Sequence, residues 1–277
     1  MKAKLFDYVE RDNFIFRLSG LTKLVSFLCL TFAVMFSYDI RCILFVLVFS
    51  VVMFRMSGLK FSQIKIMLIY VAFFLLSNFL LTFIFSPLEG VKIYGTRHDL
   101  FTIFGNYVIT QEQLLFQFTK LLKYSSVVPL GMIFLLTTHP SEFAASISRV
   151  GVSYKAAYAV SLTLRYFPDL IRDYNDISLA QQSRGLDFSK KEKFFTRCKN
   201  IMSVCVPLIF STLDRIELIS NAMDLRSFGK YKKRTWYSTK PLTAADKSAM
   251  LLCAAIFLTT LGVSVFINHS RYFNPFI

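Results

Sequence analysis

The chain has 277 residues, 55% of them hydrophobic, 18% charged and 31 of them phenylalanine. Soluble domains carry about a quarter charged residues, and here the apolar residues are bunched into runs long enough to cross a bilayer. This balance excludes an ordinary soluble domain and predicts a polytopic membrane protein. The net charge of +15 would suit a nucleic-acid binder. Much of it, however, lies in segments that flank or follow hydrophobic runs, as the positive-inside rule requires, so no nucleic-acid partner is expected.

Residues 1–23 form a polar leader with Lys2, Lys4, Arg11, Arg17 and Lys23. It has no short apolar core followed by a small-residue cleavage site, so the first helix is expected to stay in the mature protein. From Leu24 to Phe54 the chain is nearly continuous apolar sequence, broken mainly by Ser37-Tyr38-Asp39-Ile40-Arg41. That length predicts two short spans joined by a tight turn. A third span is predicted from about Ile66 to Phe85, ended by Ser86-Pro87 because proline removes a donor and clashes with a continuing helix.

Residues 88–110 read as an exterior loop with room for a short hairpin. A fourth span is predicted from about Gln111 to Thr138, with Lys120 and Lys123 well inside it. Cations at that depth either pack against other protein or line a functional path, and both readings stay open here. From His139 to Thr243 the pattern is one of long amphipathic helices. The pair Asp246-Lys247 marks a membrane boundary before a last span, about Ser248 to Asn268.

The predicted fold is therefore all-α, a polytopic membrane protein with about five transmembrane helices plus long amphipathic cytoplasmic helices. Its regions are 1–138 (leader and spans one to four), 139–243 (cytoplasmic coupling-helix region) and 244–277 (final span and tail). Region 139–243 holds seventeen Lys and Arg against nine Asp and Glu, whereas the exterior loop carries only Lys92 and Arg97. That asymmetry places the N-terminus and region 139–243 in the cytoplasm of a multi-pass cell-membrane protein.

Cys29, Cys42, Cys198, Cys205 and Cys253 form no CxxC pair, and His98, His139 and His269 are scattered. No metal, disulfide or cofactor is expected. There is no G-x-x-x-x-G-K-[ST] phosphate loop, so the chain is not expected to be an enzyme that hydrolyses ATP.

Region 139–243 contains two similar helical segments. One runs from Pro168 to Gln181-Gln182-Ser183-Arg184-Gly185, the other from Pro207 to Asp224-Leu225-Arg226-Ser227-Phe228-Gly229. Each has alanine four residues before arginine, on the same helix face, and each then meets glycine, as helix C-termini often do. The plain reading of Arg184 and Arg226 is a cation favouring the helix dipole. Two matched endings 42 residues apart instead suggest two similar docking sites, because a planar guanidinium locks into carboxylates or carbonyls as lysine does not.

With these residues in view, the chain resembles the T component of energy-coupling factor transporters, over nearly its whole length. A Thr-x-Pro-x-Glu-like stretch is loosely matched by Thr138-His139-Pro140-Ser141-Glu142, and a Leu-Arg-Phe-x-Pro-like segment by Leu164-Arg165-Tyr166-Phe167-Pro168. Two X-Arg-X motifs are matched by Ser183-Arg184-Gly185 and Leu225-Arg226-Ser227, within the runs Ala180 to Phe188 and Ala222 to Gly229. The leader's Arg17-Leu18 and Thr22-Lys23 also match. The family often has alanine before each motif arginine and glycine after the second, where this chain has Ser183, Leu225 and Ser227. The leader's usual Asp-Pro-Arg is here Ser19-Gly20-Leu21.

The resemblance implies a scaffold subunit of an ATP-driven uptake system for a vitamin or metal micronutrient. It implies two ABC ATPase subunits as partners, docked at Ser183, Arg184, Gly185, Leu225, Arg226 and Ser227. A small membrane S component that captures substrate is implied as well, and the apolar stripe Leu208, Ile209, Leu213, Ile216 and Ile219 is the candidate surface for it. Burial of that stripe against the chain's own helices is the alternative.

Three rivals remain on sequence alone. A conventional ABC permease would leave the two arginine-ended helices unexplained. A membrane enzyme would need a ligand or acid–base cluster, and Asp169, Asp173 and Asp176 alternate with Arg165 and Arg172 as an ion-pair face does. A secondary transporter would show broken helices or charged pairs in repeated halves.

Overall fold

The computed structural model describes residues 13–59, 61–104, 107–186, 194–231, 235–236, 240–268 and 272–273. The helices are α1 (Phe14–Arg17), α2 (Gly20–Phe36), α3 (Ile40–Met56), α4 (Phe61–Phe85), α5 (Glu89–Tyr94), α6 (Gln111–Thr137), α7 (Pro140–Arg149), α8 (Tyr154–Ser183), α9 (Phe194–Leu225) and α10 (Ala244–Gly262), the last running into a π-helical turn, Val263–Ile267. An antiparallel hairpin of β1 (Asp99–Phe104) and β2 (Tyr107–Thr110) lies between α5 and α6. The chain divides into two compact units, residues 1–139 with 240–277, and residues 140–239.

In the first unit the long apolar run splits where predicted. Ser37 closes α2, and Asp39 opens α3 by accepting the Arg41 N–H at 2.9 Å. Helix α4 starts at Phe61, before the predicted Ile66. The 88–110 loop holds α5 as well as the hairpin, so the fold is nearly all-α. Among the described residues, Gln111–Thr137 and Ala244–Ile267 are long and apolar enough to cross a membrane.

Helices α2, α3, α6 and α10 meet in a core of Leu30, Val34, Val46, Leu130 and Cys253, and Phe54 packs on Met132 in a second cluster. Phe27 of α2 stacks on Phe134 of α6, ring centroids 5.1 Å apart. In a bilayer such contacts gain little from the hydrophobic effect, since lipid is as apolar as leucine; close packing and polar links choose the partners.

Three buried charged side chains supply such links. Asp246, in the first turn of α10, accepts from the Ser19 N–H and the Thr22 hydroxyl, each at 2.8 Å, and from the Thr243 N–H and hydroxyl at 2.9 and 2.7 Å. Lys23 donates to the Thr137 carbonyl that ends α6, at 2.7 Å. Lys123 donates to the Met35 carbonyl at the end of α2, 2.7 Å away, and its ammonium lies 3.4 Å from the Tyr38 ring centre. Lys120 donates to the Thr82 hydroxyl of α4 at 3.0 Å. Both lysines of the fourth predicted span are thus packed against neighbouring elements of the protein.

Helix α4 is apolar on all sides and exposes Tyr70, Phe73, Leu76 and Phe85, as a lipid-facing helix does. The loop after it folds against the start of α6. The Gln113 side chain accepts from the Gly90 N–H at 2.7 Å, and a β-carbon on Gly90 would stand 2.5 Å from the Glu112 carbonyl, so only glycine fits. Buried Glu112 accepts from the His98 backbone and pairs with its ring at 2.7 Å.

The second unit is a helical subdomain of α7, α8 and α9. Pro140 opens α7, where its missing N–H costs nothing. Ala144, Ala145 and Ala157 are buried and let α7 and α8 approach closely.

Candidate docking site at two helix ends

Helix α8 opens with Ser153 as its cap, the hydroxyl accepting from the Ala156 N–H. It ends in two crossed backbone bonds, Leu186 N–H to the Gln181 carbonyl at 3.2 Å and Gly185 N–H to the Gln182 carbonyl at 2.9 Å. This is the Schellman pattern, with a left-handed residue one past the cap. Gly185 takes that conformation at φ 88°, and Arg184 is the cap residue.

Helix α9 ends the same way. Phe228 N–H reaches the Met223 carbonyl at 3.0 Å, and Ser227 N–H the Asp224 carbonyl at 2.9 Å. Arg226 therefore holds the position that Arg184 holds, 42 residues earlier, with Leu225 matching Ser183 and Ser227 matching Gly185. The left-handed position next to the cap belongs to Ser227, at φ 54°, and Gly229, three residues past Arg226, is left-handed as well, at φ 90°. A serine there is strained by its β-carbon, which glycine lacks.

Ser183, Arg184, Gly185, Leu225, Arg226 and Ser227 are all exposed. Leu225 is 88% exposed, an apolar knob next to Arg226. In the first motif that place belongs to Ser183, whose hydroxyl turns back to the Leu179 carbonyl at 3.1 Å.

Helices α8 and α9 pair antiparallel. Gln181 donates to the Ser203 carbonyl at 3.3 Å, Arg215 donates to Asp173 at 2.7 Å, and Phe228 packs on Tyr158, ring centres 4.7 Å apart. Tyr154 and Trp236 join the same aromatic cluster. The two arginine ends consequently lie at opposite ends of the hairpin. From Tyr158, beside the second end, to Arg184 is a helical run of about 40 Å at 1.5 Å per residue.

Of the candidate stripe, Ile209, Leu213 and Ile216 are 57%, 52% and 55% exposed, while Leu208 and Ile219 are half-buried. Met202 and Val206 extend the exposed line at spacings of four and three, and Leu164, Phe167, Ile171 and Tyr174 form a similar line on α8. The aspartates of α8 form ion pairs: Asp169 with Arg172 on its own helix, Asp173 with Arg215 across to α9. Among the described residues no group of three His, Cys, Asp or Glu side chains is gathered for a metal.

Residue patterns alone missed the links between the two helices. Gln181 stands inside a quoted motif, but its neighbour on α9 is decided by pairing register. Phe228, Tyr158 and Trp236 lie up to 78 residues apart and share no local pattern.

Comparison with known proteins agrees with the resemblance. The cobalt transport protein family, CbiQ, matches residues 11–237. The energy-coupling factor transporter transmembrane protein EcfT of Thermotoga maritima is 26% identical over 276 residues, covering 96% of this chain and 93% of that protein. EcfT of Exiguobacterium sibiricum is 24% identical over 262 residues, covering 91% and 95%. An uncharacterized protein of Mycoplasma pneumoniae is 28% identical over 169 residues, which span 58% of this chain and 39% of that protein's length. The chain belongs to the CbiQ/EcfT family and is a transmembrane component of an energy-coupling factor transporter.

Proposed function

We propose that this chain is the scaffold that couples two ABC ATPases to a substrate-capturing S component in an uptake system for a vitamin or metal micronutrient. The observation that carries the reading is the pair of equivalent helix ends. Each presents an exposed arginine at the cap of a Schellman turn, 42 residues apart in sequence. Two equal ends about 40 Å apart, at the two extremes of one hairpin, fit two equal partners.

In this reading Arg184 and Arg226 seat in grooves of the ATPases, each guanidinium meeting a carboxylate or carbonyls. ATP-driven closure of the ATPases moves the two ends, and α8 and α9 carry that motion. The line through Leu208, Ile209, Leu213, Ile216 and Ile219 meets the S component and tips it between outward and inward orientations. Catalysis belongs to the partners, since this chain has no phosphate loop. The proposed topology has five spans, α2, α3, α4, α6 and α10. The N-terminus and the 139–243 coupling region are cytoplasmic, and 244–277 forms the final span and tail.

The test is purification of the tagged chain from native membranes in mild detergent, with identification of partners and ATPase assay of the eluate. Two ABC ATPases and a small hydrophobic protein are expected, and the ATPases should be lost with Arg184→Glu and Arg226→Glu together. Unchanged uptake in that double variant would sink the reading.

A further inference from the structure

Gln181 has a job that the arginines themselves do not explain. Its backbone carbonyl accepts from both Arg184 N–H and Leu186 N–H, so it is the residue on which the first arginine turn is wound. Its side chain leaves that turn and donates from Nε2 to the Ser203 carbonyl of α9 at 3.3 Å.

That carbonyl is not an ordinary one. In an α-helix the carbonyl of residue 203 accepts from the N–H of residue 207, and residue 207 is proline, inside α9. Proline has no N–H, so the Ser203 acceptor is left without its intrahelical donor. A buried or half-buried carbonyl in that state is costly unless another donor reaches it. The donor that reaches it is Gln181. The proline in one helix and the glutamine at the end of the other are two halves of one contact.

The second end is held differently. Phe228, just past Arg226, is clamped by Tyr154 and Tyr158 at the start of α8. Each arginine turn is therefore tied to the opposite helix, the second through the rings of Phe228, Tyr154 and Tyr158 and the first through the Gln181–Ser203 hydrogen bond. Between them Arg215 donates to Asp173 at 2.7 Å.

We propose that Gln181 is a positioning residue: through the carbonyl that Pro207 leaves open, it fixes the first arginine turn against α9, so that Arg184 is presented to its ATPase in one orientation. The inference rests on the docking reading above. It adds a residue that acts through its contact with α9, and a reason for the proline there.

The experiment uses the full chain with its native cysteines replaced by serine and spin labels at Leu179→Cys and Met202→Cys, both exposed positions on the two helices. Electron–electron distance distributions and ATPase recovery at limiting concentration are measured on the same preparations. Gln181→Met keeps the shape and removes the donor; it should broaden the distribution and lower ATPase recovery about fivefold, as loss of one net hydrogen bond does. Gln181→Lys keeps a donor and should restore both. Pro207→Ala supplies the missing N–H to Ser203 and should behave as Gln181→Met does, with no further loss when the two are combined.

Arg184→Glu is the control. If it leaves ATPase recovery intact, the docking reading fails. If it abolishes recovery while Gln181→Met alters neither the distance distribution nor recovery, the inference about Gln181 alone is overturned. A Gln181→Lys chain as defective as Gln181→Met would also overturn it.

Discussion

Ser19 and Asp246 lie 227 residues apart in sequence and are joined by a hydrogen bond of 2.8 Å, from the Ser19 backbone N–H to Oδ1 of Asp246. The same oxygen accepts from the Thr22 hydroxyl, and the other carboxylate oxygen caps its own helix through Thr243. One side chain thereby starts α10 and holds the first turn of α2 beside it. Four donors depend on it: those of Ser19 and Thr22 are buried, while Thr243 stands at the surface.

Asp246→Ala should lower stability by on the order of 3 kcal/mol, because buried donors left without an acceptor cost about 1–3 kcal/mol each and the site relaxes only in part. Asp246→Asn, which keeps one oxygen for Ser19 and Thr22, should cost about half as much. Thermal unfolding of the purified chain in detergent measures both; equal stability of all three chains would show that the knot contributes nothing.

The two arginine turns predict opposite responses to glycine and alanine. Ser227→Gly removes the β-carbon from a left-handed residue and should stabilise the end of α9 by about 0.5–1 kcal/mol. Gly185→Ala puts a β-carbon on a residue at φ 88° and should destabilise the end of α8 by about 1 kcal/mol. Among the described residues, no atom beyond its chain neighbours lies within 4 Å of the added carbon at Gly185, so strain and not crowding is what the measurement reads. Amide hydrogen exchange of residues 181–186 and 223–228 is the local probe.

Lys123 is 3% exposed and ends α2 by donating to Met35 and Ser37. Lys123→Met should destabilise the chain by about 1–3 kcal/mol through the uncovered carbonyls. Lys120→Met removes a half-buried bond to Thr82 and should cost less. Uptake per folded molecule should stay near wild type in both. A loss of uptake at full stability would give these lysines the substrate-path role left open by sequence.

Asp39, at the turn between α2 and α3, predicts a pH effect. Burial pushes its carboxyl up, but hydrogen bonds from Arg41 and Asn268 more than offset that and hold it below the ordinary value near 3.8. The stabilisation is present above pH 3.8 and is lost as pH falls through the lower folded value. As pH falls below 3.8 the Arg41 and Asn268 contacts should weaken, and Asp39→Asn should flatten that part of the stability profile. The readout is unfolding temperature against pH for the two chains; parallel curves would rule the effect out.

Much of the fold is written in the order of residues. Runs of apolar side chains predict the helices of the first unit, Ser37 to Arg41 predicts the break between α2 and α3, and Ser86-Pro87 predicts the end of α4, because each depends on neighbours within a few positions. Arg184 and Arg226 were legible for the same reason: their turns are local, and the 42-residue repeat is visible as a repeat. Gly229 was legible as a glycine past the helix end, and it is left-handed at φ 90°, but that Ser227 also takes a left-handed conformation follows only from the backbone bonds of Phe228 and Ser227.

What tertiary structure alone decided is which distant groups meet. Among apolar helices, packing by hydrophobicity discriminates weakly, so register is selected by a few polar partners far apart in sequence. Asp246 with Ser19 and Thr22, Lys123 with the end of α2, Arg215 with Asp173, and Gln181 with the carbonyl that Pro207 frees are of this kind. No local pattern encodes such pairs, because each half satisfies ordinary rules on its own helix and gains its meaning only when the other helix lies alongside.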